Sequence, residues 1–153
     1  MNSTKLVNFF REEFFLPKLI SETKESVLEE LVQPLVDAGK VKSKGLILET
    51  LNRRETLGST GIGKGVAVPH CRTLAVSEIF IVVGIAQEGI QYNAIDKKKV
   101  NLFFLIVAPP QEETNLYLPI LGKIVEIVRN SKVRRSLKKV KDFSSLLDAV
   151  LGG

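Results

Sequence analysis

Apolar positions recur at helical spacing early in the chain. Val27, Leu28, Leu31, Val32, Leu35 and Val36 fall on one side of a helical repeat, with Thr23 placed to cap its start and Gly39 to end it. Pro34 lies inside this pattern, where a helix kinks. Ser43 opens a second helix whose inner side carries Leu46, Ile47 and Leu51 and whose end delivers Arg53 and Arg54. The pattern then changes period. Val66 to Val68 reads as a short strand stopped by Pro69. Ile79 to Ala86 and Val100 to Val107 are near-continuous apolar runs rich in β-branched and aromatic residues, as in strands buried on both faces of a sheet.

Glu88-Gly89 and Asp96-Lys97-Lys98 read as loop between these strands. After Pro109-Pro110, the residues Leu116, Ile120, Leu121, Ile124, Val125 and Val128 mark a long helix. Asp142 caps a last one carrying Phe143, Leu146, Leu147, Val150 and Leu151. Helices, then strands, then helices predict an α/β fold: one domain with a mixed, mostly buried sheet flanked by helices on both faces. No repeat, low-complexity tract or linker divides the chain.

Composition narrows this picture. At 153 residues the chain is of single-domain size, and 44% hydrophobic against 25% charged residues excludes disorder. The longest apolar run, Val100 to Pro110, falls short of the roughly 18 residues of a membrane span. The opening Met1-Asn2-Ser3-Thr4-Lys5 lacks the charged and apolar regions of a secretory signal, and the single Cys71 excludes an internal disulfide. A cytoplasmic, not membrane-embedded protein is expected. The net charge of +5 gathers at Lys97–Lys99 and at Lys132, Arg134, Arg135, Lys138, Lys139 and Lys141. Without interleaved aromatics or a helix-turn-helix signature this reads as a solvated helix face plus a loop, not a nucleic-acid surface; docking of an acidic protein stays open.

Candidate chemistry lies in Arg53-Arg54-Glu55-Thr56-Leu57-Gly58-Ser59-Thr60-Gly61-Ile62-Gly63-Lys64-Gly65-Val66-Ala67-Val68-Pro69-His70, which ends on the only histidine. Gly58 to Gly65 nearly completes a nucleotide-binding P-loop. However, Gly65 has no hydroxyl for magnesium, and a strand rather than a helix follows. A dinucleotide fingerprint fails because Val66 stands where its third glycine belongs. No metal is expected, since His70 lacks a second histidine and Cys71 does not complete a ligand set. A Cys71–His70 catalytic pair fails because neighbours on a strand point to opposite faces. A ligand-free tight turn is one reading of the glycines. A held anion is the other, favoured by the hydroxyls of Ser59 and Thr60 and the guanidinium groups of Arg53 and Arg54. His70 then suits a phosphate acceptor, which needs one imidazole, a cation and donors, and no cofactor.

Arg54-Glu55, Ser59-Thr60-Gly61-Ile62-Gly63, Gly65-Val66-Ala67-Val68 and Pro69-His70 closely resemble the signature of the fructose/mannitol-type enzyme IIA domain of the bacterial phosphoenolpyruvate-dependent sugar phosphotransferase system, a group that includes a nitrogen-regulatory branch. The resemblance extends over residues 5–150, leaving 1–4 and 151–153 as terminal extensions, and takes in Phe15-Leu16, Ile95-Asp96 and the helix after Pro109. It implies that His70 accepts phosphate from the histidine-containing phosphocarrier and passes it to an enzyme IIB, with Arg54 balancing charge and Nε2 as the phosphorylated atom. Ser59, Thr60, Gly61, Gly63 and Gly65 are the expected phosphate-binding loop. Relatives carry a second active-site histidine at the start of the helix after the last strand. Here Tyr117 stands there, or Asn115 in another register; either hydrogen-bonds phosphate and neither supplies an imidazolium. Three functions follow as expectations: a stand-alone phosphocarrier for fructose, mannitol or a related sugar; a regulator whose phosphorylation state controls a partner protein; or a module that binds a free anion only.

Overall fold

The computed structural model describes residues 1–152. Its elements run α1 (Ser3–Leu6), β1 (Phe15–Leu16), α2 (Lys24–Asp37), α3 (Lys44–Thr56), β2 (Gly61–Gly63), β3 (Val66–Ala67), β4 (His70–Arg72), β5 (Phe80–Ile90), β6 (Val100–Ala108), α4 (Tyr117–Arg129), α5 (Ser131–Lys139) and α6 (Phe143–Leu151), with two single 3₁₀ turns after α1. The helix starts follow local chemistry. The Thr23 and Ser26 side chains each accept from the other residue's backbone N–H at the head of α2, while Ser43 and Asp142 cap α3 and α6. Asn130 ends α4 by giving its backbone N–H to the Ile127 carbonyl and caps α5 with its side chain, which accepts the N–H groups of Lys132 and Val133. The helix α2 continues through Pro34 to Asp37.

Six strands form one mixed sheet in the order β1-β5-β6-β3-β2, and β4 also pairs with β6. The central strand β6 meets β5 antiparallel on one edge. On its other edge it meets β3 and then β4, both parallel. Alternate residues of the long strands feed two cores. Ile81, Val83, Ile85, Leu102, Phe104 and Ile106 pack with α1, α4, α5 and α6. Phe80, Val82, Ala86, Phe103, Leu105 and Val107 pack with α2 and α3 on the opposite face. The helix-flanked mixed sheet expected from the apolar runs is the architecture found.

Two strand boundaries differ from expectation. Glu88-Gly89 belongs to β5, which runs on to Ile90. The register shifts between Ile85 and Ile90, and Gly89 at φ +78° provides the bulge that keeps the strand paired. The chain also resumes a strand directly after Pro69. Proline has no N–H to give, so it breaks β3 from β4, while its carbonyl still accepts from Ile106 at 3.0 Å.

Candidate functional site

The break at Pro69 sets the direction of His70. It stands opposite Ile106 in the β4/β6 register, and Arg72 stands opposite Ala108, so both share the face covered by α4. Cys71, between them, points into the other core and is buried. Burial pushes its thiol up to about 12. A shallow cleft opens over His70, lined by Thr50, Arg53, Arg54 and Leu57 from the end of α3, by Cys71 and Arg72, and by Tyr117, the first residue of α4.

The imidazole is half-buried and its Nδ1 lies 2.8 Å from the carbonyl oxygen of Val68. A carbonyl only accepts, which assigns the ring proton to Nδ1 and leaves Nε2 with a bare lone pair. Burial holds the pKa of His70 below 6.5. The Val68 hydrogen bond opposes that, the Arg54 charge reinforces it, and the Glu55 carboxylate opposes it again. The ring is therefore neutral and nucleophilic at neutral pH.

Arg54 reaches back over the end of its helix, and its Nη1 donates to the Gly58 carbonyl at 3.0 Å. Arg53 pairs with Glu49 at 2.6 Å one turn earlier. The Tyr117 ring lies 6.5 Å from the His70 ring, centroid to centroid, tilted by 54°. Burial raises the pKa of its hydroxyl, so it stays protonated. Of the two residues aligned with the missing histidine, Tyr117 is thus the one beside His70. Asn115 sits in the preceding loop at φ +55°, lining an adjoining hollow. Tyr117 opens α4, so the start of that helix stands beside the cleft, with the Glu112 carboxylate accepting the Leu116 N–H just ahead of it at 3.0 Å.

The glycine-rich segment is not an open cradle. Gly61–Gly63 and Val66–Ala67 form an antiparallel hairpin, turned by Lys64 at φ +60° and Gly65 at φ +78°. Three of its amides are occupied by side chains: Thr60 N–H donates to Glu55, Gly61 N–H to Ser59 Oγ at 3.0 Å, and Lys64 N–H to Asp96 at 3.0 Å. Gly61 lies against Ala94, Gly63 faces Asp96, and Gly65 sits under Lys138 and Asn101. None of Ser59 to Gly65 lines the cleft.

Thr60 is buried, and its hydroxyl donates to Glu55 while meeting the Tyr92 hydroxyl at 3.1 Å. Glu55 is itself held by Lys24, Nζ to Oε1 2.8 Å, and that ammonium lies 4.6 Å from the centre of the Tyr92 ring. This buried network ties the end of α3, which carries Arg54, to the hairpin leading to His70. The sequence reading gave Glu55, Tyr92 and Arg72 no role. The spacing His70-Cys71-Arg72 held the signal for the last, since alternate residues of a strand share a face. Among the described residues no group of three or more His, Cys, Asp or Glu comes together to hold a metal, and no helix is long and apolar enough to cross a membrane.

Comparisons with known proteins converge on one group. A family model described as phosphoenolpyruvate-dependent sugar phosphotransferase system, EIIA 2, matches residues 8–151. The chain is 32% identical over 128 residues to the PTS system fructose-specific EIIA component of Haloferax volcanii, covering 84% of this chain and 82% of that protein. It is 30% identical over 130 residues to the PTS system fructose-specific EIIABC component of Bacillus subtilis, covering 85% of this chain but only 20% of that much longer protein. Among solved structures, nitrogen regulatory protein IIA-Ntr from Neisseria meningitidis superposes with a TM-score of 0.86 at 26% identity, covering 95% of this chain and 99% of that one.

Proposed function

The chain belongs to the phosphoenolpyruvate-dependent sugar phosphotransferase system EIIA 2 family, and from that premise we propose that it is a cytoplasmic phosphocarrier working through a phosphohistidine at Nε2 of His70. The observation that carries this is the Val68 carbonyl on Nδ1, which leaves Nε2 as the only free ring nitrogen. In the transfer, the Nε2 lone pair forms a bond to phosphorus as the nitrogen–phosphorus bond of the donor's phosphohistidine breaks. The donor ring leaves as neutral imidazole. His70 keeps its Nδ1 proton, and its ring then carries a positive charge that Val68 stabilises. Arg54 balances the phosphoryl charge, with the Tyr117 hydroxyl and the head of α4 as further donors.

Ser59, Thr60, Gly61, Gly63 and Gly65 act in this scheme by building and anchoring the hairpin that aims His70, rather than by touching phosphate. Residues 5–150 are the working unit, the histidine-containing phosphocarrier is the donor, and an enzyme IIB is the acceptor for a fructose-type sugar.

The test is incubation with phosphoenolpyruvate, enzyme I and the phosphocarrier, followed by a search for acid-labile, base-stable phosphate on the intact chain. Label on wild type and none on His70→Ala supports the reading; equal behaviour of the two ends it. Tyr117 beside His70, in place of an imidazole, favours a second reading: a regulator whose phosphorylation state controls a partner protein. Onward transfer of phosphate to an enzyme IIB separates the two, since only the first requires it.

A further inference from the structure

Three arginines line the cleft over His70, and they differ in what holds them. Arg53 is spent on Glu49 and Arg54 on the Gly58 carbonyl. Among the described residues Arg72 makes neither an ion pair nor a side-chain hydrogen bond, and it is exposed. It is nonetheless placed. Its guanidinium carbon lies 4.8 Å from the centre of the Tyr117 ring, the ring that faces His70 at 6.5 Å. A guanidinium on an aromatic face is held in orientation while all its N–H donors stay available.

We infer that Arg72 is a second phosphate-binding cation of the His70 site, seated on Tyr117 and completing the anion seat from the strand side. This rests on the phosphocarrier reading and deepens it. Strand periodicity puts the Arg72 and His70 side chains on one face, two residues apart, with Tyr117 closing the gap between them. The arriving phosphoryl group is a dianion. Arg54 can offer only the donors left over from Gly58, whereas Arg72 brings an uncommitted fork matched to two phosphoryl oxygens. The tyrosine at the position where relatives carry a second histidine thus does not remove a positive charge from the site. It moves that charge onto β4 and serves as its platform. Arg72 takes no atom from the reaction; it neutralises charge on the phosphoryl oxygens while the bond to Nε2 forms.

The experiment uses the full chain and follows phosphorylation over a range of phosphocarrier concentrations. It also measures the half-life of the phosphohistidine and its phosphorus NMR signal against pH. Arg72→Ala is expected to lower kcat by about 10²-fold, as for loss of one preorganised donor to a transition-state oxyanion, with a much smaller change in KM. It should also raise the pH at which the phosphoryl group takes up a proton. Arg72→Lys should recover part of the rate, and Tyr117→Phe, which loses the hydroxyl donor but keeps the ring under Arg72, should cost less than Tyr117→Leu. Tyr117→Leu should fall toward Arg72→Ala, and combining the two should cost no more than the worse single change. Should Arg72→Ala unfold early, Arg72→Gln keeps the stem, removes the charge and replaces it in every comparison. Wild-type rate and an unmoved phosphorus titration in the charge-removing variant overturn the inference while leaving the phosphocarrier reading intact. An unlabelled wild type overturns both.

Discussion

His70 donates its Nδ1 proton to the carbonyl oxygen of Val68, two residues back in the same chain, at 2.8 Å. Pro69, between them, makes the geometry stiff: its ring fixes one dihedral and its missing N–H ends the β3 ladder at that point. The ring nitrogen left free is thereby chosen by backbone rather than by another side chain. Nitrogen-15 correlation spectra of the unmodified protein are expected to show the proton on Nδ1. Spectra of the phosphorylated protein should show phosphorus coupled to Nε2. Coupling at Nδ1 would contradict the assignment.

The same ring sets a pH dependence. Burial lowers its pKa in the native state below the ordinary 6.5. Between the native value and 6.5 the unfolded chain therefore binds more protons than the native one, so stability falls as pH drops through that window and is unaffected by this group above it. A proton titration of His70 should have its midpoint below 6.5. Urea midpoints should fall as the pH drops below about 6.5 in wild type more than in His70→Gln. Phosphorylation rates should decline over the same acid range, because the protonated ring has no lone pair to offer.

Thr60→Val removes a hydroxyl that donates to the buried Glu55 carboxylate. The expected cost is about 1–3 kcal/mol, since a buried charged acceptor loses a donor and gains nothing. Glu55→Ala is expected to cost more, about 3–5 kcal/mol, because it leaves Lys24 largely buried without its counter-charge. Denaturant unfolding measures both, and a neutral Glu55→Ala would mean the network does not brace the hairpin.

Two glycine substitutions should move stability in opposite directions. A Cβ at Gly61 would meet the Ala94 backbone at 2.8 Å and its Cβ at 2.7 Å, too close without shifting the hairpin. Gly61→Ala is therefore expected to destabilise by about 2 kcal/mol. Gly122, inside α4, has open space around it, and Gly122→Ala should stabilise by about 0.5–1 kcal/mol through helix propensity. Thermal unfolding midpoints check both signs.

Cys71 neighbours His70 yet faces the α2/α3 core with its thiol raised to about 12. A thiolate-selective reagent is expected to leave it unlabelled in the native protein near neutral pH and to label it once the chain is unfolded. Rapid native labelling would show that the core beneath the site opens readily.

Much of the framework was legible because its signals are local. The α2 pattern with its Thr23 cap, the apolar runs of β5 and β6 and the amphipathic α4 all state their own periodicity. The two-residue β1 and the hairpin strand β2 state nothing of the kind. Phe15-Leu16 is a strand only because β5 lies beside it, and Gly61-Ile62-Gly63 only because β3 does. The site divided along the same line. His70 stood out by residue type and spacing, Arg54 and Tyr117 through the family resemblance, and all three line one cleft. Which partners the loop amides take was not, since Thr60 meets Glu55, Gly61 meets Ser59 and Lys64 meets Asp96 through folding rather than pattern.

The pairing of β6 with β3 and β4 also has a consequence in time. A chain leaves the ribosome from its N-terminus. His70 is therefore made well before Ile106, the residue it pairs beside, and earlier still than Tyr117, which walls its cleft. Until β6 is made, β4 has no strand to pair with. On the phosphocarrier reading, competence to take phosphate thus waits for the α4 segment, since a chain cut short before Tyr117 lacks one wall of the cleft.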